Sequence, residues 1–287
     1  MKKILITGAS GQLGASLQLN NYNIIRTGII LQDDQEHFKV LDITNEEQVN
    51  ALLEKEKPDV IIHLAAMTNV DGCERNPNQA QLINVLGTEN LLNHFMGKFI
   101  FVSSDYVFDG EDGPYTEDDD VNPINVYGKT KLEGEASVRK LSNDWVILRT
   151  NVVWNIGGNF KASFADWVVD ELQSNRHIRI VADQWNNPAW TVELGNVIET
   201  LIQHDANGLY HHGSSRIINR YDFACMIANV YELNSSLIEP ITTKELNQSA
   251  QRPLKCGLIT KKLENDFNFI PSKTISDIKA AKYQTEL

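Results

Sequence analysis

The sequence has little of what marks secreted, membrane-spanning or nucleic-acid-binding proteins. Only three cysteines occur among its 287 residues, and they lie far apart without metal-ligand spacing, so we expect reduced, mostly buried thiols. No run of about 18 apolar residues is present, which argues against a membrane-spanning helix. Acidic residues outnumber basic ones by 38 to 26, and the net charge of −12 has the wrong sign for binding nucleic acid or an anionic membrane.

The N-terminal stretch MKKILITGAS becomes polar too early for a secretion signal. We therefore expect a soluble cytoplasmic protein without membrane or nucleic-acid partners, and a two-fold homodimer is the default assembly. The segment 109–120 carries seven carboxylates in twelve residues. Gly and Pro interrupt it and no ligand geometry is implied, so we interpret it as a solvated loop rather than a cation site and predict no metal.

Short apolar runs alternate with longer amphipathic stretches through the first half of the chain. Nearly continuous apolar runs, typical of strands covered on both faces, lie at 2–7, 23–27, 38–42, 59–65, 98–104 and 144–150. Helical patterns lie between them at 11–19, 46–56, 78–95 and 125–139. This alternation predicts the α/β class, with a Rossmann-type, doubly wound parallel sheet.

After Arg149 the alternation loosens. Helices are predicted at 161–174, 192–204 and 221–232, and strands at 177–181 and 208–213. We therefore divide the chain into a sheet domain, residues 1–150, and a smaller C-terminal lobe, residues 151–287, interleaved with the first.

The first strand runs directly into TGASGQLG, where Gly8, Gly11 and Gly14 are spaced three residues apart before a helix. Glycines in this context permit a tight turn, close approach of the backbone to a pyrophosphate and close helix packing. The helix N-terminus adds N–H donors and a favourable dipole. The motif therefore predicts a dinucleotide site that also uses the intervening residues, namely Ser10, Gln12 and Leu13.

The ends of the second and third strands bear on which dinucleotide binds. The second strand ends in NIIRTG, which offers Arg26 and no carboxylate for an adenosine ribose, and this favours NADP(H). NAD(H) stays open because Asp33 or Asp34 could reach back. Asp42, followed by Ile43, is placed to meet the adenine edge; alternatively, Asp42 caps the helix that begins near Asn45.

The stretch VYGKTKLEGE, residues 126–135, places Tyr127 four residues before Lys131. Side chains at this spacing are neighbours on any helix, so spacing alone fits both a catalytic acid beside a cation and an ordinary helix-face pair. The glycine turn and the strand-end pair Ser103 and Ser104 lie where such sheets bind ligands, at the carboxyl ends of strands. This setting favours a catalytic pair.

Several motifs together resemble the extended short-chain dehydrogenases/reductases. They are TGxxGxxG at the start, HLAAMTNVDGCE (63–74), VSSDYVFDG (102–110) and NPINVYGKTKLEGE (122–135). More narrowly, the chain is similar to the dTDP-4-dehydrorhamnose reductase branch, which also contains the regulatory β subunit of methionine adenosyltransferase. The similarity is closest in residues 1–150 and continues more loosely in RTNVVW (149–154), VADQWNNPAW (181–190) and QRPLKCGL (251–258).

The resemblance implies a role for each residue of the catalytic set. Tyr127 is the proton donor to a sugar ketone, and the ammonium of Lys131 lowers the phenol pKa from its ordinary value near 10 and binds the nicotinamide ribose. Ser104 holds the substrate oxygen as charge develops on it, with Ser103 as the competing hydroxyl. The resemblance also implies that Ala65, Ala66 and Thr68 pass along the cofactor.

Substrate recognition is the point where the sequence departs from the branch. The branch often has a tryptophan two residues after the Arg-Thr that ends the sixth strand, where this chain has Val152. Candidate replacements are Trp154, Trp185 and Trp190. We predict that the substrate side is lined by Asp105, Tyr106, Asn151 and Trp154, and that Arg252 clamps a diphosphate because its planar fork suits phosphate oxygens. A salt bridge is the alternative for Arg252.

The expected function is NAD(P)H-dependent reduction of the 4-keto group of a nucleotide-linked 6-deoxysugar. A cofactor-binding regulatory subunit, resembling the β subunit of methionine adenosyltransferase, is the second hypothesis, motivated by the change at Val152. An epimerase or dehydratase ranks third, because no further acid–base pair is recognisable beside Tyr127.

Overall fold

The computed structural model describes residues 1–30, 38–157 and 163–285. Within these ranges the strands are β1 Lys3–Thr7, β2 Asn23–Gly28, β3 Phe38–Val40, β4 Val60–His63, β5 Lys98–Ser104, β6 Trp145–Thr150, β7 Ile178–Val181, β8 Trp185–Asn186, β9 Gly208–His211, β10 Ile218–Asn219 and β11 Ile238–Ile241.

The α-helices in the same ranges are α1 Gln12–Ser16, α2 Glu46–Glu56, α3 Val70–Arg75, α4 Pro77–Gln81, α5 Gly87–Asn93, α6 Val126–Leu141, α7 Phe164–Gln173, α8 Thr191–Gln203, α9 Arg220–Val230, α10 Thr243–Leu246, α11 Lys261–Phe267 and α12 Thr274–Thr285. No helix of the described residues is both long and apolar enough to cross a membrane.

Seven strands form one sheet in the order β3-β2-β1-β4-β5-β6-β9, and every neighbouring pair is parallel. The order runs outwards in both directions from β1, as in doubly wound folds, so the predicted Rossmann-type sheet is confirmed. The seventh strand, β9, comes from the predicted C-terminal lobe. The division at residue 150 stays a prediction, and the structure adds that the chain returns to the first sheet after it.

The sheet is buried on both faces because successive side chains of a strand point in opposite directions. Ile4 and Ile6 of β1 pack in a core shared with α8, whereas Leu5 between them packs in a second core with residues of α2 and α5. A third core, built around Trp154 and Phe223, joins α7, α9 and α12 in the C-terminal half. Strand registers bring the carboxyl ends to one edge, where Thr7 pairs with His63 and Ser104 with Thr150.

The helix predicted at 78–95 is interrupted. A π-helical turn, Leu82–Leu86, separates α4 from α5. It contains the buried Asn84, whose amide accepts from the Met67 N–H (2.7 Å) and donates to the Met67 carbonyl (3.2 Å) and to Thr130 Oγ1 (2.9 Å). π-turns are frequent at functional sites. Here the turn holds the segment after β4 against α6.

Candidate active site

The glycine turn between β1 and α1 leaves no room for side chains. Gly8 has a φ of 64°, and an added Cβ would lie 2.7 Å from the Ala65 nitrogen. A Cβ on Gly14 would lie 2.5 Å from Ala9 Cα. Backbone therefore meets backbone here, and the first amides of α1, at Gln12 and Leu13, precede any intrahelical hydrogen bond. The shape of the turn fits the predicted pyrophosphate contact.

A chain of buried hydrogen bonds fixes the end of β4, which the predicted cofactor segment Ala65, Ala66 and Thr68 follows. Thr7 Oγ1 accepts from the Ala65 amide (3.2 Å) and lies 2.7 Å from His63 Nδ1, and His63 Nε2 lies 3.0 Å from Thr88 Oγ1. Burial lowers the pKa of His63 to about 3, so the ring is neutral. Sequence reasoning missed His63, because a histidine in an apolar strand carries no local signal.

Arg26 and Asp42 are engaged locally. The Arg26 guanidinium donates to the carbonyls of Gly14 (2.6 Å) and Leu17 (2.7 Å), so its predicted contact with the cofactor depends on its remaining donors. Asp42 Oδ1 accepts from the Thr44 amide (2.9 Å) and hydroxyl (2.7 Å). The alternative in which Asp42 caps the next helix is wrong, since the Asn45 side chain caps α2. Ile43 is buried, and Asp33 and Asp34 lie outside the described residues.

Local sequence brings Tyr127 to the end of β5. Asn125 caps α6 by accepting from the Gly128 amide (2.8 Å). A Cβ on Gly128 would lie 2.0 Å from the Tyr106 carbonyl oxygen, so glycine allows the first turn of α6 to press on the segment after β5. The Tyr106 ring meets the Tyr127 ring edge-on at 5.7 Å, and the Ser104 hydroxyl lies close enough to the Tyr127 phenol to act on its pKa. The structure thus brings Ser104 and Tyr127 together.

The pKa values of Tyr127 and Lys131, both on α6, are shifted in opposite directions. Burial raises the pKa of Tyr127 well above its ordinary value, while the Ser104 hydrogen bond opposes this. Burial lowers the pKa of Lys131 to about 7, against the attraction of Glu135, and its ammonium lies 4.0 Å from the centre of the Phe101 ring. The phenol is therefore protonated at neutral pH, which is the form that a proton donor requires.

A buried ion pair lies one helical turn beyond Lys131. Glu135 is fully buried and accepts from Arg149 Nε and Nη2, both at 2.8 Å, and from the Ser103 hydroxyl at 2.6 Å. Ser103 therefore belongs to this network, whereas Ser104 faces the phenol. The structure favours Ser104 over Ser103, the competing hydroxyl, as the residue beside the reacting oxygen.

Two predicted substrate contacts need correction. Trp154 is fully buried in the C-terminal core, near-parallel to Trp190 at 6.2 Å and edge-on to Phe223, so it offers no face to a sugar. Arg252 is 8% exposed and donates to both carboxylate oxygens of Asp71 (3.2 and 2.8 Å). The salt bridge, predicted as the alternative for Arg252, is the arrangement observed, with the arginine buried and Asp71 partly exposed.

Other predicted substrate residues lie at the same edge of the sheet. Asn151 is 2% exposed and donates to Asn187 Oδ1 (2.8 Å), which ties the end of β6 to the segment before α8. Val152, in the place of the branch tryptophan, has a φ of 38°, a strained conformation for a β-branched residue. Of the candidate tryptophans, Trp185 is 39% exposed and lines a cavity of about 230 Å³.

A charged residue that sequence reasoning missed also faces this region. The Arg220 guanidinium, at the start of α9, lies 5.2 Å from the centre of the Phe164 ring and attracts the charges of Asp105 and Tyr106. The described residues provide no ion-pair partner or hydrogen-bond acceptor for its side chain. A single arginine at the start of a helix carries no sequence signal that it will lie near Asp105, so sequence reasoning could not identify Arg220.

Comparison with known proteins agrees with the fold. The profile of the RmlD substrate binding domain family matches residues 1–285. The dTDP-4-dehydrorhamnose reductase of Aggregatibacter actinomycetemcomitans is 34% identical and covers 98% of this chain and 99% of that protein. Methionine adenosyltransferase 2 subunit beta of Xenopus tropicalis is 33% identical over 92% of this chain and 82% of that protein.

A solved structure extends the comparison to the whole fold. The dTDP-4-dehydrorhamnose reductase of Bacillus anthracis, crystallised in complex with NADP, superposes with a TM-score of 0.90 at 29% identity, covering 99% of each chain. The resemblance predicted from the motifs is confirmed, and the chain belongs to the RmlD substrate binding domain family, the family of dTDP-4-dehydrorhamnose reductases.

Proposed function

We propose that this protein reduces the 4-keto group of a nucleotide-linked 6-deoxysugar with NAD(P)H. The observation that carries the proposal is the proximity of Ser104 and Tyr127, one helical turn from the buried Lys131, at the edge of the sheet where the glycine turn also lies. The related reductase from A. actinomycetemcomitans supports the same substrate class.

The residues around the glycine turn fit a dinucleotide. Side chains at Gly8 and Gly14 would fill the cradle, and the segment from Ala65 to Thr68 passes beside it. When bound, the nicotinamide supplies a hydride to the keto carbon. NADP(H) is the first choice, supported by the B. anthracis reductase in complex with NADP, and NAD(H) stays open because Asp33 and Asp34, the carboxylates that could reach an adenosine ribose, lie outside the described residues.

The side chains of this protein would donate the proton that the reduction requires and stabilise the charges that develop. Tyr127, kept protonated by burial, gives its proton to the keto oxygen as that oxygen gains negative charge. Ser104 donates a hydrogen bond to the same oxygen. Lys131, in its ammonium form, stabilises the phenolate left behind and orients the ribose. Tyr127 then recovers a proton from solvent, so one hydride and one proton are consumed in each turnover.

Turnover of a keto sugar tests this function. The purified protein is mixed with NADPH or NADH and a series of nucleotide-linked 4-keto-6-deoxysugars, beginning with dTDP-4-dehydrorhamnose, and the absorbance of the reduced nicotinamide is followed. We expect substrate-dependent loss of absorbance. Tight cofactor binding without consumption across the whole series would contradict the proposal.

A regulatory subunit is the second candidate, and the β subunit of X. tropicalis, at 33% identity, is the observation that favours it. A pull-down with a methionine adenosyltransferase catalytic subunit separates the two, since a regulatory subunit must form a stable complex. The arrangement of Ser104, Tyr127 and Lys131 favours the reductase. The cytoplasmic location and the homodimer stay predictions.

A further inference from the structure

Asp105 stands directly beside the reacting groups, although the mechanism above does not use it. It follows Ser104 at the end of β5 and is 2% exposed. Its Oδ1 lies 3.0 Å from Ser104 Oγ, whereas its Oδ2 has no hydrogen-bond partner among the described residues. Ser104 is thus the side chain that hydrogen-bonds this carboxyl among the described residues, and the amides of Asp105 and Tyr106 also stabilise its charged form.

The Ser104 hydroxyl has one proton and two lone pairs to share. The Ser104 oxygen already accepts a hydrogen bond from the Tyr106 amide (3.2 Å). Its single proton can therefore be donated either to the Asp105 carboxyl or towards the site that holds the Tyr127 phenol, but not to both. An ionised Asp105 can only accept and takes this proton. A protonated Asp105 donates to Ser104 instead, which frees the Ser104 proton for the keto oxygen.

The surroundings of Asp105 favour the neutral form. An ionised carboxylate that buries an unpartnered oxygen loses hydration, and the hydrogen bonds from Ser104 and from the amides of Asp105 and Tyr106 compensate only part of that loss. The groups that face it are Arg220 from α9, Tyr127 from α6, Tyr106 beside it and the thiol of Cys256, which lies 3.6 Å from its backbone carbonyl. Of these only Arg220 carries an opposing charge. Burial outweighs that charge and raises the pKa of Asp105 to about 7.

We propose that Asp105 is a positioning residue which must be protonated for Ser104 to donate its hydrogen bond to the keto oxygen. This proposal rests on the proposed reductase function. The Asp105 proton is not consumed, because the proton that reaches the product comes from Tyr127. In this role Asp105 sets the direction in which the Ser104 hydroxyl points.

The pH dependence of kcat/KM tests this role. In the wild type both Lys131 and Asp105 must be protonated, and their pKa values are each about 7. Above that pH we therefore expect kcat/KM to fall about a hundredfold per pH unit. Asp105→Asn places a permanent N–H donor against Ser104, so the decline of kcat/KM above pH 7 becomes about tenfold per unit, whatever the level of kcat/KM at pH 6. Asp105→Ala provides no donor and loses about tenfold at pH 6.

Controls separate this role from a general effect of charge. Glu111→Gln removes one carboxylate from an exposed position in the following loop and should keep the wild-type profile. Infrared difference spectra at pH 6 should show a protonated carboxyl in the wild type that is missing in Asp105→Asn. An unchanged decline in Asp105→Asn, or no such carboxyl signal, would overturn this proposal alone, whereas absence of turnover by the wild type with every keto sugar would overturn the reductase function as well.

Discussion

Tyr127 is the residue on which the proposed chemistry depends. Replacing it with phenylalanine keeps the ring against Tyr106 and removes only the hydroxyl, so the proton donor is lost while packing is retained. We expect kcat to fall by about 10² to 10⁴, the usual contribution of a general acid, and NADPH binding to stay unchanged. Steady-state turnover and calorimetry measure the two quantities.

The exposed Tyr283→Phe is the matched control for this change, and it should leave both kcat and cofactor binding unaltered. Retention of most of the turnover in Tyr127→Phe would assign the proton to another group.

His212 is a residue-scale test of how burial acts on charge. It is fully buried, and burial lowers its pKa to about 3 from an unfolded value of 6.5. Its contribution to stability is therefore complete above pH 6.5 and is lost as pH falls towards 3, because the unfolded chain binds the proton first. The carboxyls of Asp105 and Asp277, with pKa values raised to about 7, have the opposite effect on stability: they increase it as pH falls from about 7 to about 4.

A variant isolates the His212 contribution. Urea denaturation of His212→Phe at pH 5 and pH 6 should show a dependence on pH that differs from the wild type by about 1.4 kcal/mol per unit, the value of one proton. Acidification from pH 6 to pH 5 should therefore destabilise the wild type more than it destabilises His212→Phe. Equal dependence in the two proteins would mean that His212 is not neutral in the fold.

At the scale of elements, the turn from β1 to α1 combines backbone strain with close contact. Gly8→Ala places a Cβ at positive φ, 2.7 Å from the Ala65 nitrogen, so the turn has to move. We expect NADPH affinity to fall at least about tenfold and stability to fall by more than about 1 kcal/mol. Calorimetry with NADPH and urea denaturation measure the two effects.

Gly208→Ala is the matched control for this element. Gly208 also has a positive φ, of 111°, but an added Cβ meets nothing closer than the flexible Lys262 ammonium at 3.9 Å. It should lower stability through strain and leave NADPH affinity unchanged. Equal loss of affinity in both variants would show that strain anywhere in the sheet, rather than the shape of the turn, controls binding.

At the scale of the whole molecule, the buried pair of Glu135 and Arg149 joins α6 to β6 beneath the site. Glu135→Gln leaves a buried guanidinium without its counter-charge, and we expect the free energy of unfolding to fall by about 3 kcal/mol in urea denaturation. Glu133→Gln, exposed on the same helix, should change it by less than about 0.5 kcal/mol. A similar small loss in both would mean that water reaches the pair.

Most elements of the sheet could be predicted from the sequence because each depends on a local pattern. The run 98–104 is β5 to the residue, and 46–56 is α2, capped by the Asn45 that precedes it. The prediction of one continuous helix at 78–95 was wrong, because a π-turn at Leu82–Leu86 interrupts it. This turn depends on the contacts of Asn84 with Met67 and Thr130, which are distant in the chain.

The short elements of the C-terminal half were not predicted. The strands β8 and β10 are two residues long and exist because they pair with each other, and α12 has only a weak apolar pattern although Ile278 lies fully buried in the third core. Such elements are stabilised by tertiary packing rather than by local propensity.

The sequence by itself determined the doubly wound sheet, the glycine turn and the placement of Tyr127 and Lys131 one turn apart on a helix, because periodicity, strand–turn–helix order and helical spacing are local properties. Only the tertiary structure decided that Trp154 is buried, that Arg252 is held by Asp71, and that Asp105 faces Arg220. Burial and pairing of side chains depend on segments far apart in the chain, and a single sequence does not reveal which of its polar groups will meet.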